Sequence, residues 1–203
     1  MNFKKLQEMQ RALDDAILKE KPEMTAEERF EKTLATLSVE IAELANTAEH
    51  FKFWKENKGK IDEKRFSRDD WFSLEDDLEY IDHKTGNELT FKQAHKLTLV
   101  EEASDCLHFI LSLANQLEIE LNNPFVHCSG ISKELFYIRL NGSITSCFNN
   151  HLGGDFRFCQ TNLEKVTFYF MNYIDSLGID TQELEQAYYD KNEINYQRLR
   201  EGY

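Results

Sequence analysis

Proline is scarce in this chain: 203 residues contain two, Pro22 and Pro124, alongside eight glycines. Turn punctuation that sparse excludes a β-sandwich or barrel, whose many short strands need frequent turns. Long hydrophobic runs are also missing. The longest, Leu107 to Leu113, falls well short of the ~18–20 apolar residues of a membrane span. The first eight residues, Met1 to Glu8, carry no apolar signal core, so no export and a cytoplasmic location are expected. Positive charge is in short supply: 24 Lys and Arg against 37 Asp and Glu leave a net charge of −13. A nucleic-acid duplex needs a basic footprint and is excluded as a partner. A single phosphorylated metabolite is not, provided metal ions neutralise the meeting charges. The four cysteines, Cys106, Cys128, Cys147 and Cys159, show no CxxC spacing and read as reduced core thiols.

What is present is helical periodicity, and the expected fold class is all-α, a helical bundle in one domain over 1–203. A first helix over 3–20 carries Leu6, Met9, Leu13 and Ile17 on one face, and Pro22 ends it. Thr25 to Glu28 is a capping box that opens a second helix to about Phe53, with Phe30, Leu34, Leu37, Ile41 and Leu44 as its apolar face. The pattern breaks over 55–92, which reads as an inserted variable segment. Its Lys55–Lys60 and Asp82–Asn87 stretches read as solvated turns, with a short amphipathic piece from Asp69 to Leu74 between them. Thr90 to Gln93 caps a long helix to about Leu121, and Asn122-Asn123-Pro124 stops it. A further helix spans 132–149, followed by a Gly153-Gly154 turn. Thr161 to Glu164 reads as the capping box of a helix ending at Gly178, and Asp180 caps the last helix, with Leu184, Ala187 and Tyr188.

Two acidic pairs stand out. Glu40-Ile41-Ala42-Glu43 and Glu102-Ala103-Ser104-Asp105 each place carboxylates at i, i+3. Such pairs also arise by chance on solvated faces, as at Glu20/Glu23 and Glu28/Glu31. The chosen two share a context: Leu37, Ile41 and Leu44 in one, and Leu99, Ala103 and Cys106 in the other. At about 100° per residue the acids sit beside the buried stripe, so packing the stripes together gathers four carboxylates. Four such groups cannot share a site without cations, and hard oxygen donors suit Mg²⁺, with Mn²⁺ as a substitute. Glu49 and Glu101 are further candidate ligands or bases.

Near the C-terminus, Lys191, Asn195 and Arg198 fall at i, i+4, i+7, with Asn192 beside them. Cations are favoured at any helix C-terminus, but two asparagines are poor helix formers, and their use would be contact with phosphate and base. Gln10 and Asp14 lie one turn apart on the first helix, and a Gln amide can read the mixed edge of a nucleobase. Phe51-Lys52-Phe53-Trp54 supplies aromatic faces for core packing or base stacking. His108 reads as a packing histidine.

Four segments in this order resemble the dimeric, all-α dUTP diphosphatases, part of the helical nucleoside-triphosphate pyrophosphatase superfamily that includes MazG-like enzymes. They are Leu6 to Asp14, Glu40 to Glu43, Glu102 to Phe109, and Lys191 to Arg198 with Gly202-Tyr203. The resemblance implies that Glu40, Glu43, Glu102 and Asp105 hold Mg²⁺, with Glu43 acting in part as base toward the attacking water. It implies that Gln10 and Asn195, near Trp54, contact uracil and deoxyribose, and that Lys191, Asn192, Arg198 and Tyr203 contact phosphates or sugar. The implied reaction converts dUTP, and dUDP, to dUMP, with release of pyrophosphate from dUTP. Asp14 stands where relatives often have Asn, and Leu199 where Gln is common. The 55–92 segment resembles the family's variable region as carried by phage members. A homodimer is expected, with some of the aromatic residues buried at a two-fold interface. A repressor protein of a mobile genetic island is a further partner that the phage resemblance implies. Two other readings stand beside this one: a superfamily pyrophosphatase for another nucleotide such as dCTP, and a non-catalytic helical interaction protein.

Overall fold

Each helix starts where a side chain can take up its orphaned N–H groups. The computed structural model describes residues 1–20, 23–68, 80–122 and 128–202. Helix α1 spans Phe3–Glu20 and α2 spans Ala26–Ala48; strands β1 (Phe66–Arg68), β2 (Tyr80–Asp82) and β3 (Glu88–Leu89) follow; then come α3 (Phe91–Gln116), α4 (Lys133–Leu152), α5 (Phe156–Ser176) and α6 (Thr181–Arg200). Thr25, Thr90 and Asp180 close reciprocal capping boxes with Glu28, Gln93 and Glu183, and Ser132 caps α4 through Leu135 N–H. The all-α expectation is met, with a small sheet added to it.

Helix α3 is the axis of the bundle. From Ala103 to Ala114 nearly every residue is buried, whichever way it points, which is how a helix enclosed on all sides reads. Helices α1, α2, α5 and α6 pack against it, while α4 and α5 form a helical hairpin across the Gly153-Gly154 turn. One apolar cluster draws side chains from all six helices. Cys106, Cys147 and Cys159 are buried thiols and Cys128 is half-buried; none forms a disulfide.

Several expected boundaries move. Helix α2 stops at Ala48, not near Phe53, because Glu49 turns left-handed at φ 51° and folds its carboxylate inward. That carboxylate, 1% exposed, accepts from Lys52 Nζ at 2.7 Å, from Lys55 Nζ and from the Gly59 N–H at 3.1 Å. These bonds hold the Glu49 carboxyl down at about 2. Gly59 is required here: at φ +107° it lies against His95, whose ring would meet a Cβ at 2.8 Å. Helix α3 ends at Gln116, and Leu121 N–H is instead taken by Gln7 Oε1 at 2.9 Å. Helix α5 begins at Phe156 under an Asp155 cap, so the Thr161–Glu164 box lies inside a helix already running, where Thr161 Oγ1 donates to Arg157 C=O. The last helix continues in order to Arg200.

The inserted segment holds the sheet that helical periodicity missed: three antiparallel strands in the order β1-β2-β3, with Phe66 opposite Asp82 and Tyr80 opposite Leu89. Asp82, read as part of a solvated turn, is buried. It accepts from Arg65 Nε at 3.0 Å and Nη2 at 2.8 Å, and from Lys84 N–H and Thr85 Oγ1. Arg65 extends the link to Glu101 of α3 at 2.9 Å. Pro22, the Asp69–Leu74 piece, Asn123-Pro124 and Tyr203 lie outside the described residues.

Asp82 thus joins the sheet to α3 through one guanidinium, and losing one partner of a buried pair costs far more than losing a surface pair. Asp82→Ala is expected to lower unfolding free energy by about 3 kcal/mol and to expose the sheet to limited proteolysis while helical circular dichroism persists. Chemical denaturation and protease mapping check both.

Candidate active site

The apolar stripes of α2 and α3 pack as their spacing requires: Leu37, Ile41 and Leu44 on one side, and Leu99, Ala103 and Cys106 on the other, are all buried. The acids beside those stripes converge at the seam. Glu40, Glu43 and Glu102 each offer a carboxylate oxygen within 4.8 Å of the others. Glu40 and Glu102 are half-buried and Glu43 is exposed. Burial, followed by the neighbouring carboxylates, pushes Glu40 and Glu102 up to about 7.

The fourth acid is held differently. Asp105 Oδ2 accepts from Lys191 Nζ at 2.7 Å, so α6 delivers a cation to the edge of the cluster. Burial raises the Asp105 pKa, and the charges of Lys191 and Arg198 pull against that rise. Glu49 and Glu101 do not join the cluster; they serve the ion pairs of the inserted segment.

One turn along both helices lies a cavity of about 620 Å³. Gln10, Asp14, Arg29, His108, Asn195 and Arg198 line it, with apolar side chains of α1 and α3 between them. Four residues that sequence reading assigned to base or phosphate contact, Gln10, Asp14, Asn195 and Arg198, therefore border one cavity. Asn192 is buried beside Tyr188, and its Nδ2 lacks a partner among the described residues. Trp54 lies past the end of α2, 66% exposed, and does not line the cavity; its ring meets Phe53 edge-on at 5.0 Å. Tyr203 falls outside the described residues.

The cavity floor is a buried hydrogen-bond chain. Gln10 Nε2 donates to Asp14 Oδ1 at 2.8 Å, and Gln10 Oε1 accepts from His108 Nδ1 at 2.7 Å and Tyr188 Oη at 3.0 Å. Asp14 Oδ2 accepts from Arg29 Nη2 at 3.0 Å and Ser112 Oγ at 2.6 Å. The His108 ring stacks on Tyr188, with centroids 4.2 Å apart. Burial, aided by the Lys191 charge, drops His108 to about 3, so it is a neutral imidazole at pH 7. His108 is therefore more than a packing histidine. Arg29, Ser112 and Tyr188 were not singled out from the sequence, because their partners lie 15 to 178 residues away.

This donor set can hold a hard divalent cation: three convergent carboxylates, a fourth beside them, and no soft ligand among them. A family model described as dUTPase matches residues 2–69 and 89–203, leaving out a stretch within the inserted segment. No match is found among curated proteins. Among the described residues, no helix is long and apolar enough to cross a membrane.

Crowded carboxylates make stability depend on pH. Glu40 and Glu102 rise from 4.5 when unfolded to about 7 when folded. The folded state then binds more protons than the unfolded state across that interval, so stability falls as pH rises from 4.5 through 7. Calorimetry without divalent cations should show Tm declining across this window. Glu40→Gln should flatten the decline, and Mg²⁺ should raise Tm more at pH 8 than at pH 5.

Proposed function

The chain belongs to the all-α dUTPase family, and from that membership we propose that it hydrolyses dUTP, and dUDP, to dUMP, releasing pyrophosphate from dUTP. The observation that carries the proposal is the Glu40–Glu43–Glu102 cluster beside a cavity lined by Gln10, Asn195 and Arg198. A protein of net charge −13 meeting a polyphosphate needs cations between the two, and this cluster is where they would sit.

Glu40, Glu43, Glu102 and Asp105 would hold Mg²⁺ or Mn²⁺. Bound there, the cation supplies a Lewis acid for phosphate oxygens and makes water acidic enough to attack near neutral pH. The chain's own groups do the rest. Glu43, the most exposed of the four, takes the proton of the attacking water on a carboxylate oxygen. Lys191 Nζ, held at 2.7 Å by Asp105, stands ready to stabilise charge growing on the phosphate, and Arg198 acts beside it. Gln10 and Asn195 contact the base in the cavity. Attack at the β-phosphorus follows from family resemblance. The homodimer remains part of the proposal, supported by exposed apolar side chains such as Phe53 at 88% and Ile138 at 63%.

Two measurements test this reading. Pyrophosphate release from a panel of dUTP, dCTP and dTTP should be fastest with dUTP and absent without a divalent cation; a preference for dCTP would transfer the chain to a different base. Glu43→Gln should lower kcat by about 10³-fold or more with Tm unchanged or higher, and normal turnover would remove Glu43 from its role. In a separate experiment, sedimentation at micromolar protein should give twice the 24.0 kDa chain mass.

A further inference from the structure

We propose that Asp14, fixed by Arg29, sets the direction in which the Gln10 amide faces the cavity, so that the pocket offers the base a hydrogen-bond donor and selects a pyrimidine bearing a carbonyl where a rival bears an amino group. The inference rests on the reading that Gln10 touches the base, and it names Asp14 and Arg29 as positioning residues for that contact.

A side-chain amide alone cannot discriminate in this way. Turned by 180°, it exchanges oxygen for NH₂ at almost no steric cost and reads a carbonyl or an amino group equally well. Specificity requires that something forbid the turn. Gln10 has three partners, and two of them could follow it. Tyr188 can rotate its hydroxyl from donating to accepting, and His108 can move its proton from Nδ1 to Nε2. Asp14 cannot follow, because a carboxylate only accepts. Its Oδ1 faces Gln10 Nε2 at 2.8 Å, while Arg29 and Ser112 both donate to Oδ2.

With Nε2 committed to Asp14, the remaining directions follow in sequence. Gln10 Oε1 must face His108 Nδ1, which donates to it, and Tyr188 Oη, whose single proton is shared between Gln10 Oε1 at 3.0 Å and the Leu6 carbonyl at 3.2 Å. The His108 proton must then sit on Nδ1. His108 Nε2 is left as an acceptor with no donor among the described residues, beside a Tyr188 backbone carbonyl that cannot supply one. Gln10 Oε1 is enclosed by His108 and Tyr188, and one hydrogen of Nε2 is used. The capacity that remains to this cavity-lining residue is a single N–H donor. A carbonyl oxygen on the base edge satisfies it. An amino group there sets donor against donor and leaves both buried and unpaired, the kind of mismatch that can discriminate by ~10⁴.

The His108 tautomer reports the lock without any need for catalysis. Nitrogen-15 NMR of the full-length protein at neutral pH should show one neutral His108 tautomer, protonated on Nδ1. Asp14→Asn keeps the shape but can donate, so the Nε2-protonated form should appear. In the same variant the ratio of kcat/KM for dUTP over dCTP should fall by about 10–10²-fold. A wild-type His108 protonated on Nε2 overturns the lock and needs no variant to fold. Unchanged tautomer and unchanged selectivity in Asp14→Asn overturn it as well. The two levels separate cleanly: Nδ1 protonation in a protein that prefers dCTP supports the lock and refutes the dUTP assignment, whereas Nε2 protonation in a protein that prefers dUTP does the reverse.

Discussion

Like-charge crowding at the α2–α3 seam is the constraint on which the rest of the site depends. Apolar packing imposes it. Ile41 and Leu44 on α2 and Ala103 and Cys106 on α3 are fully buried, and burial at about 25 cal/mol per Å² of apolar surface is collectively strong enough to hold the two helices together against the repulsion above them. The i, i+3 acids ride on those stripes and are carried into one another's field. Without a cation, the folded protein relieves the crowding by retaining protons on Glu40 and Glu102. A cation held there, as proposed, would remove that need, and protonation and metal binding would then be two sides of one equilibrium.

The surrounding elements supply what the seam lacks. Helix α6 brings Lys191 to Asp105, whose charge acts on both Glu40 and Glu102. Ion pairs occupy two neighbouring acids outside the cluster: Glu101 with Arg65 and Lys84, and Glu49 with Lys52 and Lys55. A net charge of −13 is therefore not spread evenly. Lys and Arg partners pair Glu49 and Glu101, while Glu40, Glu43 and Glu102 converge at the seam. The cavity alongside has a different character. Its floor carries hydrogen-bond directions that run from Arg29 through Asp14 and Gln10 to His108.

What could be read from the sequence was whatever has helical period. The two acidic pairs, their apolar stripes and the caps at Thr25, Thr90 and Asp180 all follow from spacing within one or two turns. Interactions across the chain were not legible. Gln10 reaches Tyr188 across 178 residues, and nothing near Gln10 announces it. Local signals also misled where a stronger local event came first. Asp155 had already opened α5 before the Thr161 box, and Glu49 closed α2 five residues short of Phe53. The strands of the inserted segment are two or three residues long, too short for a period-2 pattern to register.

The central claim is that the carboxylates of α2 and α3 form a divalent-cation site that trades protons for metal. Calorimetric titration of MgCl₂ into the protein at pH 7, in two buffers of different ionisation enthalpy, measures that exchange directly. The account predicts binding with about one proton released at pH 7 and essentially none at pH 9, and loss of both signals in the Glu40→Gln/Glu102→Gln double variant. Binding that releases no proton at pH 7, or that survives the double variant unchanged, would contradict it.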